Sequence, residues 1–400
     1  MLKVISPDEA VEIIRNEFSS YRLQKESLPL SHSLSRTLCE DIISKENIPS
    51  FNRSTVDGYA LFSADSFGSS ESSPSQLDIA GEVLMGEKTD LTVRRGECVK
   101  IPTGGMLPEG ADSVIMLEHT DTLFDGICLA QKAVSPYENV TRKGDDIKEN
   151  DTVLKKGSVI TSRSIGVLAA LGISEVSVFC RPSVGIISTG DELVSADSEA
   201  SFGKIRDINS HILSALMREL GCETTFYGII KDDFGEIDGT LKKAVKENDI
   251  VLISGGSSAG AADMTADIIN ASGELLFHGL AMKPGKPTIF GKIDGKAVFG
   301  LPGHPAAAYF VALRLIKPLI CTMLCTGVKT AKATGELTQN ISSNHGREEI
   351  VCVRLRDGKI TPLFAKSGII SLLSQSDGYI IIERNREGLR QGENVEVNLF

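Results

Sequence analysis

No two of the eight cysteines in this 400-residue chain have CxxC spacing. Thiols scattered at 39, 98, 128, 180, 222, 321, 325 and 352 argue against a zinc knuckle or a disulfide frame, and read as reduced, structural groups. Cys321 and Cys325 stand one helical turn apart and read as core thiols on one helix face. Positive charge is also scarce. A net charge of -11 and a pI near 5.2 exclude the basic face of a general nucleic-acid binder. A local lysine cluster can still dominate one cleft. The longest apolar stretch, Pro305 to Cys325, is interrupted by Arg314, Lys317 and Pro318, so it reads as a buried helix and not a membrane span. The first residues, MLKVISPDEAVEII, lack the basic-then-apolar pattern of a secretory signal, and a cytoplasmic protein is expected. Ser6, Pro7 and Glu9 read there as a capping box with proline at the first helical position. No internal repeat is found.

The chemistry-bearing residues that are present crowd into one region. In VLISGGSSAGAAD (251–263) a β-branched run ends in a Gly-Gly turn, and an aspartate then heads the helical pattern MTADIIN. Strand, glycine loop and helix start together make an anion cradle: glycine lets the backbone approach a ligand, and the helix N-terminus points free N–H groups at it. Gly255, Gly256 and Ser257 are the candidate contacts. AMKPGKPTIFG and AVFGLPGHPAAAY follow. Lys283 and Lys286 flank Pro284-Gly285 with Pro287 behind, so two ammonium groups sit on a stiff turn suited to a phosphate or another oxyanion. As an isolated motif KPGKP would be a solvated turn; its place between two ligand loops favours binding. His304, at a helix start, is given a backbone-shaping role only.

At 41% hydrophobic and 24% charged the chain is globular, and too long for one core. The expected architecture is α/β multidomain. A split helical domain (1–50 and 146–175) surrounds a β-rich lid domain (51–145). Its helical pattern near 157–171 is expected to pack back on the N-terminal helix. Strands alternating with helices over 176–327 predict a doubly wound parallel sheet, whose ligands bind at the carboxyl ends of the strands. A β-rich tail (328–400) predicts a small barrel or sandwich. Carboxylates also gather at that sheet edge: Asp191 and Glu192 after SVGIIST, Asp232 and Asp233 after TTFYGII, and Asp263 after the glycine loop. Any one alone reads as a helix cap. As a set beside phosphate loops they suit Mg²⁺, which takes one or two carboxylates together with phosphate oxygens. In the lid, Asp57-Gly58 is a turn signal, and Thr103 before two glycines can present a hydroxyl and N–H groups.

Taken together, RSTVDGYA, IPTGGMLPEGADSVIMLE, RKGDDI, STGDEL, SGGSSAGAAD, MKPGKPTIFG and GLPGHPAA, with the weaker HGREEIVCVRL and AKSGII, resemble the molybdopterin molybdenumtransferases, the MoeA and gephyrin E-domain family. The matches keep the family's order and span nearly the whole chain. The resemblance implies the four domains above, the last as a β-barrel. It implies a homodimer whose site combines the sheet domain of one chain with the lid of the other. It also implies insertion of molybdate into adenylylated molybdopterin with Mg²⁺ and release of AMP, with a molybdopterin adenylyltransferase as a candidate partner. Carried over by motif, Asp57, Thr103 and Asp146 face the substrate. Glu192, Asp232 and Asp263 serve Mg²⁺ and the phosphates, with Asp263 promoting adenylate cleavage. Lys283 and Lys286 hold oxyanions, and Ser367 lies near the molybdate.

The chain also departs from the family. Members commonly carry an arginine where this chain has Cys352, and Arg354, two residues on and hence on the same strand face, is expected to substitute. Some carry a lysine where Gly279 stands. These changes leave open a paralogue that prefers tungstate. Two rivals remain: an adenylyltransferase, opposed by the lid and barrel, and a non-catalytic carrier or scaffold, opposed by the carboxylates.

Overall fold

The structure is a computed structural model describing residues 4–123, 126–199, 201–255, 259–364 and 370–400, with 259–263 described by backbone alone. The chain begins with helix α1 (Pro7–Phe18), capped by Ser6, whose side chain accepts from the Glu9 N–H at 3.2 Å. Its buried stripe of Ala10, Val11, Ile14 and Phe18 has the 3.6-residue period of an amphipathic helix. That stripe does not meet the helix α2 (Ser162–Ala170), contrary to the expected packing. It joins the core that also contains Phe290, Phe299, Leu315 and Leu319, whereas α2 buries Leu168 with Leu38, Ile42 and Ile160. The segments on either side of the lid are joined by short antiparallel pairs, such as Lys25–Pro29 with Glu175–Phe179.

The lid is a curled sheet of β1 (Gly58–Leu61), β2 (Ser75–Glu82), β3 (Glu97–Ile101), β4 (Ser113–Met116), β5 (Thr120–Leu123) and β6 (Ile127–Ala130), in the order β4-β1-β3-β2-β6-β5. Its two faces bury separate clusters, one around Leu61, Leu77 and Ile115 and one around Val83, Val99 and Ile101. Gly58 is required where β1 meets β4, because a Cβ there would lie 1.9 Å from the Ile115 carbonyl oxygen.

The α/β unit contains β7 (Ser183–Thr189), α3 (Asn209–Glu219), β8 (Glu223–Ile230), α4 (Phe234–Glu247), β9 (Ile250–Gly255), α5 (Ala259–Ser272), β10 (Glu274–His278), β11 (Met282–Lys283), β12 (Ile289–Ile293) and β13 (Lys296–Leu301). Its sheet runs β8-β7-β9-β13-β12-β10. The first four strands are mutually parallel; β12 runs antiparallel to them and β10 antiparallel to β12, an edge hairpin order that the sequence pattern did not separate. Both faces are covered, which is why β7 and β9 read as unbroken apolar runs. Leu213, Leu216 and Met217 of α3 pack on Val184, Ile186 and Leu252. On the other face Ile237 and Leu241 of α4 and Ile268 of α5 pack on Ile187, Val251 and Ile253.

A helix over Pro305–Met323 closes the unit as α6 (Pro305–Val311), a π turn and α7 (Lys317–Met323). It is the one helix among the described residues long and apolar enough to cross a membrane, yet 67% of its apolar window is buried in the core. Cys321 is half-buried on α7. Cys325 lies past the helix end at φ 54° and is exposed, so the two thiols do not share a core face. Strands β14 (Lys332–Leu337), β15 (Glu348–Arg356), β16 (Lys359–Pro362), β17 (Gly378–Ile382) and β18 (Asn394–Leu399) then close a five-stranded barrel around Val353, Ile360, Ile380 and Val397. The short β11 leaves the α/β sheet to pair in parallel with β15, stitching the KPGKP turn to the barrel.

Candidate functional site

That stitch creates a cavity of about 440 Å³ between the turn, the start of α6 and the barrel. Lys283, Lys286 and Arg347 line it with one carboxylate, Glu349, over walls that include Met282, Phe310, Ile350 and Leu372. The Lys283 ammonium sits 2.7 Å from Glu349. Lys286 and Arg347 are exposed and have no ion-pair partner among the described residues. Cys352, 3% exposed, faces the same space, and burial pushes its thiol pKa up. Arg354 does not substitute at the cavity. The curving barrel carries it onward, where it pairs with Thr361 and donates to the Gln375 carbonyl at 3.4 Å. Among the described residues the uncommitted barrel cation at the cavity is Arg347.

A second cavity of about 560 Å³ lies against the carboxyl ends of β7, β9 and β13. The two cavities share His304, the residue that starts α6. Gly255 forms part of the second wall and cannot carry a side chain, since a Cβ would lie 2.1 Å from the Thr189 carbonyl oxygen. Thr189, Glu192, Lys204, Arg206 and Asn209 also line it. Asn209 is 7% exposed and donates from Nδ2 to Ser254 Oγ at 2.7 Å and to the Gly303 carbonyl at 2.9 Å. Those acceptors fix the amide orientation, which leaves Oδ1 buried and without a donor. Asp207, 4% exposed, caps the start of α3 through Ser210 N–H and accepts from Ser188.

The paired aspartates after β8 divide their work. Asp233 is the N-cap of α4, accepting from Glu236 N–H at 2.9 Å. Asp232 caps nothing: its Oδ1 is buried with no hydrogen-bond partner among the described residues. Burial first, then the neighbouring carboxylates of Asp191 and Glu192, push the Asp232 pKa up. A carboxylate oxygen without a donor beside two more carboxylates fits a hard divalent cation. No group of three His, Cys, Asp or Glu side chains is already gathered around a metal position among the described residues.

In the lid, Asp57 and Thr103 meet. The Thr103 N–H and hydroxyl donate to Asp57 Oδ1 at 2.6 and 3.0 Å, the backbone bond being the larger cause of a carboxyl pKa below the ordinary range. Asp146 is exposed, with its N–H bonded to the Ile48 carbonyl. None of these three lines either cavity of its own chain. Gly256, Ser257 and Ser367 lie outside the described residues, as does the Asp263 side chain, although its backbone belongs to α5.

The comparisons with known proteins follow this layout. Family models match residues 5–172 (MoeA N-terminal region, domains I and II), 185–322 (probable molybdopterin binding domain) and 334–400 (MoeA C-terminal region, domain IV). The chain belongs to the MoeA family. A putative molybdopterin biosynthesis protein of Methanocaldococcus jannaschii is 36% identical, the match covering 100% of this chain and 99% of that one. A molybdopterin molybdenumtransferase of Staphylococcus aureus is 34% identical, over 98% of this chain and 94% of its own. The crystal structure of a molybdopterin biosynthesis MoeA protein from Pyrococcus horikoshii superposes with a TM-score of 0.87 at 32% identity, covering 100% of both chains.

Within this family fold, sequence reasoning passed over four lining residues: Asn209 and Asp207 of the second cavity, and Arg347 and Glu349 of the first. For Asn209 the helix pattern INSHILSALMREL was visible. That its first residue faces a cavity follows only from the approach of Ser254 and Gly303. Arg347 and Glu349 had a signal in REEI, since a charged triplet at the start of a strand beside a lysine turn pairs naturally with it.

Proposed function

We propose that this MoeA-family enzyme of molybdenum cofactor biosynthesis inserts molybdate into adenylylated molybdopterin with Mg²⁺ and releases AMP. The observation that carries the reading is the pair of cavities sharing His304: one with oxyanion-holding cations, the other walled by Gly255, Glu192 and the buried acceptor of Asn209. Lys283, Lys286 and Arg347 hold the oxyanion by charge, ammonium and guanidinium groups being natural partners of a tetrahedral dianion. In the second cavity the glycine wall admits the pyrophosphate, with Asn209 beside it in the lining. Glu192, Asp232 and Asp263 would hold Mg²⁺, which when bound neutralises charge on the pyrophosphate. Placing molybdate beside the dithiolene while AMP leaves is then a matter of electrostatic positioning.

The lid supports a homodimer. Asp57 and Thr103 line neither cavity of their own chain, which suits a site completed by the lid of a second copy. Cys352 at the oxyanion cavity leaves open a variant of the reading, a paralogue that inserts tungstate. A cytoplasmic setting and a handover from an adenylyltransferase complete the picture. The test is AMP release from adenylylated molybdopterin with Mg²⁺, run with molybdate, with tungstate and without oxyanion. Release stimulated by one oxyanion is expected. Tight binding without release would replace the transferase by a carrier.

A further inference from the structure

Among the described residues, the cavity of Lys283, Lys286 and Arg347 contains a single carboxylate, and its placement opposes anion binding. Glu349 has a side chain only 13% exposed, with Oε1 2.7 Å from Lys283 Nζ. Its Oε2 accepts from Ser343 Oγ at 2.8 Å. The backbone sets the pair, because Lys283 and Glu349 are register partners across β11 and β15. Of the three cations that line the cavity among the described residues, one is therefore already matched. Lys283 itself remains 52% exposed and keeps room to turn away from its partner.

A dianion entering this space must share Lys283 with Glu349 or sit beside a fixed negative charge. Both routes cost Coulomb energy that a half-buried site screens poorly. Three unopposed cations would retain any tetrahedral dianion, whereas a site that passes its metal onward needs release. We propose that Glu349 is a positioning residue that weakens oxyanion binding by competing with the oxyanion for Lys283. The inference rests on the oxyanion reading of the cavity. It adds that the cavity's affinity is held down by a contact within the protein and is not limited by the number of its cations.

Isothermal titration of the full chain with sodium molybdate tests it, using the unmodified protein, Glu349→Gln, Lys283→Met and the double variant. Glu349→Gln should bind about tenfold more tightly, or ~1.4 kcal/mol. The gain should vanish in the Lys283→Met background, since the interaction measured is between those two side chains. Unchanged or weaker binding by Glu349→Gln overturns the proposal, weaker binding marking a clamp that only holds Lys283 in place. Glu349→Met replaces it as the neutral variant if Glu349→Gln fails to melt as a folded protein. Failure of the oxyanion reading looks different: the unmodified chain takes up no molybdate, or Lys283→Met and Lys286→Met bind it as well as the unmodified chain does.

Discussion

Two neighbouring aspartates should respond to the same substitution with opposite signs. The Asp233 carboxylate accepts from the Glu236 N–H at the α4 N-terminus, so Asp233→Ala removes a cap and should cost about 1 kcal/mol. Asp232 has a buried, unpartnered Oδ1 and a pKa raised by burial and by Asp191 and Glu192. An unsatisfied buried acceptor costs roughly 1–3 kcal/mol, and the half-buried position puts Asp232 at the low end, so Asp232→Ala should stabilise the metal-free protein by about 1 kcal/mol. For a unit of 150–250 residues that is a rise in Tm of about 2–4 °C. The sign of the pH dependence is fixed. Because the folded-state pKa lies above the unfolded value, ionising Asp232 penalises the fold at neutral pH. That penalty fades as pH falls through the folded pKa and is gone below the unfolded pKa of about 3.9. The advantage of Asp232→Ala over the unmodified chain should therefore be full at pH 7 and shrink toward pH 4. Added Mg²⁺ should raise the Tm of the unmodified chain and leave Asp232→Ala unmoved, and AMP release should be lost in the variant. Scanning calorimetry across pH, with and without Mg²⁺, measures all of this. A Tm drop at pH 7 in Asp232→Ala, or a retained Mg²⁺ shift, refutes the assignment of a strained cation ligand.

Other consequences are equally specific. Arg347→Met should raise the molybdate KM about tenfold while Arg354→Met leaves it unchanged, because only the first faces the cavity; steady-state AMP release separates them. Gly255→Ala forces a Cβ to within 2.1 Å of the Thr189 carbonyl and should cost about 2–3 kcal/mol in urea unfolding, with loss of turnover. At the opposite end of the sheet, Asp249 accepts from Ser183, Tyr21 and Lys296; burial alone would raise its pKa, but these bonds outweigh burial and hold it down. Asp249→Ala leaves Lys296 unpaired and should cost about 3 kcal/mol at pH 7. Its deficit should close only in acid, since a lowered folded pKa gives stability that is present above the unfolded value and lost as pH falls through the folded one.

What the sequence discloses is set by the range of the interaction that determines each feature. The Ser6 cap, the carboxyl-edge loops and the apolar runs of β7 and β9 depend on neighbours a few residues away, or on burial that marks every position alike, so pattern alone finds them. Apolar content does not report strand direction: β12 reads like any apolar segment, and only the tight turn at Asp294-Gly295 makes it antiparallel to β13. Position along a strand is likewise a two-fold code, which puts Cys352 and Arg354 on one side but cannot say where a closed barrel turns away from a cavity. Asp232 and Asp233 are chemically identical in sequence, and one peptide unit decides that one caps a helix while the other faces its own kind.

The site's charge pattern follows from the same geometry. Four parallel strands bring their loops to one edge, where carboxylates and a glycine wall gather. The short β11 breaks away to the barrel and takes its lysines with it. The place of Lys283 and Lys286 on the barrel side of His304 is therefore a consequence of β11 changing sheets. With the strand transferred, the one acid that follows the lysines is Glu349, contributed by the barrel strand that receives them, and it is the group whose removal tells whether their charge is held in reserve.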